Sequence, residues 1–133
     1  MKRNPKGFST RALHAGWDHD PTTGAFGLPI YLTAGYKFNS VEDASSLFEL
    51  EKEGFTYSRI ANPTVAVFES VISDLEGGVA AVATSSGQAA FNQLLALICK
   101  SGDHVIVGRK VYGGTLTLLL NCMTRFNVEV SVI

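Results

Sequence analysis

The sequence predicts an α/β fold: an incomplete, parallel-rich sheet with flanking helices, preceded by a long extended arm. Two observations predict it. From residue 62 onward, apolar strand-like runs alternate with helical patterns, the order in which right-handed crossovers build a parallel sheet. The 133 residues are also 46% apolar with a mean hydropathy of +0.17, which suits elements covered on both faces.

Residues 1–61 form the arm. Up to about Phe38 there is little periodicity, because Gly16, Pro21, Gly24, Gly27, Pro29 and Gly35 interrupt every short apolar run. Trp17, Phe26, Ile30, Tyr31 and Tyr36 nevertheless carry too much apolar surface for a solvated tail, so the arm is expected to lie against another surface. Ser40 and Asp43 make a capping-box-like start to a helix with Val41, Ala44, Leu47 and Phe48 at helical spacing, and Gly54 offers its stop.

Residues 62–133 carry the sheet. Asn62 caps a helix with Pro63 at its first position, Val65, Phe68, Ile72 and Leu75 form its buried stripe, and Gly77-Gly78 ends it. A strand is expected over Val79 to Thr84, then a helix from about Gln88 to Lys100 with Phe91, Leu94, Leu95 and Ile98 on one face. Ser101-Gly102-Asp103 turns the chain into strand His104 to Val107. A fourth helix, about Gly114 to Arg125, carries Leu116, Leu119, Leu120 and Met123, and a last strand runs from Val128 to Ile133. Three strands are too few for a closed sheet, and the last would leave an adhesive edge. The chain is therefore expected to be the first part of a larger domain, or half of a split protein.

A net charge of -1 and a pI near 6.3 give no electrostatic case for nucleic acid or an anionic membrane. Lys2, Arg3 and Lys6 open the chain without an apolar stretch behind them, so no signal peptide is expected, and no apolar run is long enough to span a bilayer. Cys99 and Cys122 fall within helical apolar patterns, which points to buried free thiols and a cytoplasmic location.

Chemistry concentrates in three places. Thr84-Ser85-Ser86-Gly87-Gln88 puts small residues, hydroxyls and backbone N–H groups at a helix start, where unpaired donors and the positive end of the helix dipole favour an anion. Tyr57-Ser58-Arg59 adds a guanidinium fork suited to phosphate oxygens. Tyr112, beside Gly113-Gly114 in the loop after the second strand, offers a ring on which a flat cofactor can stack. Each has an ordinary reading as well: a plain helix start, a solvated edge-strand pair and a half-buried ring. The dinucleotide G-x-G-x-x-G, the lysine-bearing P-loop and the hydrolase G-x-S-x-G are all missing. His14, His19, Asp18 and Asp20 match no standard metal spacing, so no metal is expected, and His104 reads as structural.

Five segments in order give the chain a resemblance. They are Thr10-Arg11-Ala12-Leu13-His14-Ala15-Gly16, Pro29-Ile30-Tyr31, Tyr57-Ser58-Arg59-Ile60-Ala61-Asn62-Pro63-Thr64, Ser86-Gly87-Gln88-Ala89-Ala90 and Tyr112-Gly113-Gly114-Thr115. Together they resemble the Cys/Met-metabolism (trans-sulfuration) enzymes that use pyridoxal 5′-phosphate (PLP), a family of the aspartate-aminotransferase type, fold type I. The resemblance implies that residues 62–133 open the PLP-binding large domain. It also implies that the arm reaches across a dimer, so that Tyr57 and Arg59 bind the cofactor phosphate of the neighbouring subunit. Gly87 and Gln88 would give backbone donors to that phosphate, Ser86 would line the turn, and Tyr112 would stack on the pyridine ring and assist catalysis. A homotetramer of two catalytic dimers is implied.

Gln88 with Ala89-Ala90, and Gly113-Gly114-Thr115, most resemble the O-acetylhomoserine sulfhydrylases of the family. That implies an amino-acid substrate and sulfide, giving homocysteine and acetate for methionine biosynthesis. Methionine γ-lyases typically have Met at the place of Gln88 and Cys at that of Gly114, and a methionine or cystathionine γ-lyase remains the alternative within the family. In the family, the lysine that anchors PLP and the aspartate that pairs with its ring nitrogen come after the stretch matched here. Lys2, Lys6, Lys37, Lys52, Lys100 and Lys110 match no part of that lysine's motif. An incomplete enzyme is therefore expected, or a non-catalytic chain that completes a PLP site in a partner.

Overall fold

Two short strands, β1 (His104–Val107) and β2 (Glu129–Val132), pair in parallel with His104 opposite Glu129 and Val107 opposite Val132. They stand in a computed structural model that describes residues 7–133; the expected basic opening with Lys2, Arg3 and Lys6 lies outside the described residues. Among the described residues there are five α-helices: α1 (Phe8–His14), α2 (Val41–Phe48), α3 (Pro63–Glu76), α4 (Gly87–Ile98) and α5 (Gly113–Thr117). The α/β class with a parallel pair and flanking helices is as the sequence predicts. Contacts gather into two compact units, one ending at Ala83 and one beginning at Thr84.

In the first unit α1 is an element the sequence did not announce. It has no side-chain cap and exists by docking on α3, where Arg11 Nε donates to Asp74 Oδ2 at 2.7 Å. Ser40 caps α2 as expected, its Oγ accepting from Asp43 N at 3.1 Å. The helix stops at Phe48, short of Gly54, because Leu50 takes a left-handed conformation with φ of 60°. Asn62 caps α3 through Thr64 N at 2.9 Å, and Gly77 closes it in the left-handed region at φ 69°. Its stripe of Val65, Phe68 and Ile72 is exposed rather than buried.

The strand expected at Val79 to Thr84 is not formed. No neighbouring strand offers this stretch a ladder, and Ala83 N bonds instead to Glu69 Oε1 at 2.7 Å. Val79 and Val82 stand in the open. Apolar composition selects an extended backbone, but only a hydrogen-bonded partner makes it a strand.

The second unit holds the core: Leu95 from α4, Val107 from β1, and Leu119, Met123 and Val128. Phe91, Cys99, Val105, Leu116 and Val130 pack around it. The fourth helix departs from expectation, since α5 lasts five residues before widening into a π turn over Leu118–Cys122 and tightening into a 3₁₀ turn over Met123–Phe126. Its Gly-Gly-Thr start holds weak helix formers, and the wide turn brings Leu119 and Met123 inward while Leu120 stays half exposed. Cys122 is carried to the surface by the same change, and Cys99 is half-buried; both are free thiols. Among the described residues no helix is long and apolar enough to cross a membrane.

Candidate functional site

Tyr57 and Arg59 lie in the first unit on a tight turn, in which Tyr57 O accepts from Ile60 N at 2.8 Å and from Ala61 N at 3.1 Å. The turn stacks the two side chains, with the guanidinium carbon 5.3 Å from the Tyr57 ring centroid. Both side chains are exposed, and among the described residues no carboxylate pairs with Arg59. Its fork of N–H donors is therefore available to an anion. The turn is tied to the segment before it by an antiparallel bridge between Gly35 and Tyr57 and by Ser58 N donating to Ala34 O at 2.8 Å.

In the second unit Ser86, Gly87 and Gln88 form the start of α4. Ser86 is its N-cap, accepting from Ala89 N at 3.1 Å, while Thr84 Oγ1 donates to Ser86 O at 2.8 Å and steadies the turn. The N–H groups of Gly87 and Gln88 have no partner among the described residues, as first-turn amides do not within their own helix. Nothing lies within 4 Å of where a Cβ on Gly87 would stand. Two convergent donors at the positive end of a twelve-residue helix suit a phosphate group, so the residues present fit the phosphate end of PLP.

Tyr112 sits at the N-cap position of α5, beyond the carboxyl end of β1, and is 74% exposed. Gln88 Nε2 donates to Thr115 Oγ1 at 2.8 Å. That bond joins the cradle of α4 to α5, which begins beside Tyr112, and sequence reasoning missed it, along with the bonds from the Asn62 amide to Ser58 Oγ, Tyr31 O and Tyr36 Oη. A buried Asn whose oxygen is spent on a cap still has two amide protons to satisfy, and that was the available signal.

The other candidates are occupied elsewhere. Asp20 accepts from Thr23 Oγ1 at 2.6 Å and Thr22 N at 3.1 Å; the Thr23 hydroxyl first, and the Thr22 amide second, hold its carboxyl below the ordinary 3.8. Among the described residues no three of His, Cys, Asp and Glu gather as a metal site would require. His104 Nε2 pairs with Ser131 Oγ at 2.8 Å across the strands, a structural use. A concavity of about 740 Å³ beside α1 and α3, lined by Arg11, His14, Glu69 and Asp74 among others, includes none of the six expected site residues.

Residues 9–133 match the family described as Cys/Met metabolism PLP-dependent enzyme. The O-acetyl-L-homoserine sulfhydrylase of Corynebacterium glutamicum is 46% identical over 127 residues, which are 96% of this chain and 29% of that protein. The L-methionine gamma-lyase of Fusobacterium nucleatum subsp. polymorphum is 41% identical over 133 residues, 100% of this chain and 33% of that protein. Among solved structures, one from Campylobacter jejuni, assigned as an O-acetylhomoserine (thiol)-lyase and holding a pyridoxyl-lysine-phosphate, superposes with a TM-score of 0.89 at 33% identity. It covers 96% of this chain and 31% of its own. Cystathionine gamma-lyase from Lactobacillus plantarum, complexed with L-serine, gives 0.83 at 35% identity over 96% of this chain and 31% of its own. The chain thus spans about a third of the length of the relatives it matches.

Proposed function

The chain belongs to the Cys/Met-metabolism PLP-dependent enzymes, and from that premise we propose that it is the N-terminal part of an O-acetylhomoserine sulfhydrylase, converting O-acetylhomoserine and sulfide to homocysteine and acetate. The observation that carries this choice within the family is the bond from Gln88 to Thr115 Oγ1. A methionine at position 88, typical of the γ-lyases, has no side-chain N–H to give to Thr115. Gly114 likewise stands where those lyases typically have Cys.

PLP supplies an electron sink for the bound amino acid. The chain's own residues hold and orient it. Gly87 and Gln88 give their unpaired amides to the phosphate, with Ser86 shaping the turn. Tyr57 and Arg59 reach the phosphate in the neighbouring subunit, Arg59 as a bidentate fork. Tyr112 stacks on the ring, keeps water from that face and moves a proton near the departing acetate. In this reading residues 1–61 are the arm and 62–133 the first part of the large domain. The active particle is a cytoplasmic homotetramer of two catalytic dimers. Exposed Phe26, Ile30 and Leu32 on the arm support a surface that another subunit covers.

The full-length protein is assayed with O-acetylhomoserine and sulfide; homocysteine and acetate are the expected products. Arg59→Ala is expected to weaken PLP retention with little effect on folding, because Arg59 is exposed; equal PLP occupancy in variant and parent would sink the phosphate assignment. A second reading, a γ-lyase, is favoured by the 41% identity to the Fusobacterium lyase along the whole chain. Release of 2-oxobutyrate and ammonia from methionine or cystathionine would establish it. Inactivity in both assays would leave the remaining alternative, a subunit that clamps the cofactor for a partner.

A further inference from the structure

Asn62 does more than a cap requires. It is the buried polar residue among those described, with 8% of its surface exposed. Its Oδ1 performs the capping, accepting from Thr64 N at 2.9 Å, a task that Ser or Asp would serve as well. Its amide nitrogen is left over, and it faces three acceptors: Ser58 Oγ at 2.9 Å, Tyr31 O at 3.0 Å and Tyr36 Oη at 3.2 Å. Ser58 is the residue between Tyr57 and Arg59. Its hydroxyl also contacts Tyr36 Oη at 3.1 Å and donates to Thr33 O. Thr64, the second residue of α3, ties down the same segment, its Oγ1 donating to Pro29 O at 3.1 Å and accepting from Tyr31 N at 3.0 Å.

We propose that Asn62 is a positioning residue for phosphate binding: through Ser58 and Tyr36 it fixes the turn that aims Arg59 and Tyr57 at the cofactor's phosphate. The inference rests on the reading of those two residues as phosphate ligands. An exposed arginine loses rotamer freedom when it grips an anion, and a backbone already locked on both sides of it removes the further loss of ordering the turn. The centre of the lock is buried, where each of these hydrogen bonds is sheltered from competing water. A purely structural Asn62 would hold the unit together with no special effect on the phosphate.

The test compares binding of PLP with binding of pyridoxal, which has the same ring and lacks the phosphate, by ring absorbance on the full-length apo-protein. Asn62→Ser keeps a capping oxygen and loses the amide; Tyr36→Phe removes a single hydroxyl; Arg59→Ala is the control. Asn62→Ser is expected to reduce the preference for PLP over pyridoxal by roughly tenfold, the equivalent of one charged-group hydrogen bond, with pyridoxal affinity itself within about twofold. Tyr36→Phe is expected to reduce it by about threefold, and it alone decides if Asn62→Ser does not fold. Parallel weakening of both ligands, or an unchanged preference, overturns the proposal. If Arg59→Ala also leaves the preference unchanged, the phosphate reading fails and Asn62 falls with it. If Arg59→Ala abolishes it while the other variants do not, only the role of Asn62 falls.

Discussion

Gly114 is pressed against the ring of Tyr112: a Cβ on Gly114 would stand 2.6 Å from Tyr112 Cε1 and 3.2 Å from Cδ1. The obstacle is an exposed, rotatable side chain, so a larger residue at 114 turns the ring and leaves the backbone in place. Gly114→Ala is therefore expected to leave the thermal midpoint unchanged or slightly raised, because Ala is the better helix former by about 1 kcal/mol. If Tyr112 stacks on the cofactor as proposed, displacing its ring is expected to lower kcat about fivefold, an offset-stacked ring contact being worth about 1 kcal/mol. An unchanged kcat would show that the ring's resting place does not matter to the reaction.

Gln88 and Thr115 are 27 positions apart and joined by a single 2.8 Å bond. Gln88→Met preserves helix propensity and volume and removes the donor. The expected loss of stability is about 1 kcal/mol. The clearer effect is local. Amides of Thr115 and Leu116, which donate to Tyr112 O at 2.9 and 3.2 Å, are expected to exchange with deuterium faster than in the parent, while β1 amides stay as protected as before.

Those two pairs show what the sequence could and could not reveal. The limits of α3 were legible because Asn62, Pro63 and Gly77 act through the chemistry of their own turn. Tyr57 and Arg59 were legible as a pair because two positions separate them and one turn stacks them. Val79 to Thr84 was misread because a strand is a property of two segments, and apolar character in one supplies only half of it. The break in the fourth helix was hidden because Leu116, Leu119 and Met123 suit a regular helix and a widened one almost equally. Helix α1 and the bonds of Asn62 and Gln88 depend on residues brought together from afar, which no local pattern announces.

Gly16 shows the same dependence at the end of α1. Its φ is +71°, and a Cβ there would lie 2.6 Å from Ser70 Cβ and 3.3 Å from Val67 O. Neither atom is the tip of a flexible side chain. Gly16→Ala adds backbone strain to a collision and is expected to destabilise the first unit by about 1–3 kcal/mol. As α1 lifts from α3, the bond from Arg11 to Asp74 should be lost with it. Ser70→Gly in the same chain removes the nearest obstacle and is expected to restore part of the loss in denaturation midpoint. No restoration would assign the whole effect to backbone strain.

Acid sensitivity has an identifiable source at α2. Asp43 accepts from Lys52 Nζ through one oxygen and from Asn39 N, at 3.1 Å, through the other. The Lys52 hydrogen bond first, and the Asn39 amide second, lower its pKa from the ordinary 3.8. A carboxylate whose folded pKa is depressed stabilises the fold fully above its unfolded value and ceases to do so as pH falls through the folded one. The stability gap between the parent and Asp43→Asn should accordingly be constant from neutrality down to 3.8 and should shrink below it. Added salt should narrow the gap at neutral pH, because Lys52 is exposed and its charge is screened. A gap that persists undiminished in strong acid would mean that Asp43 acts through its shape and neutral hydrogen bonding at the start of α2, and not through its charge.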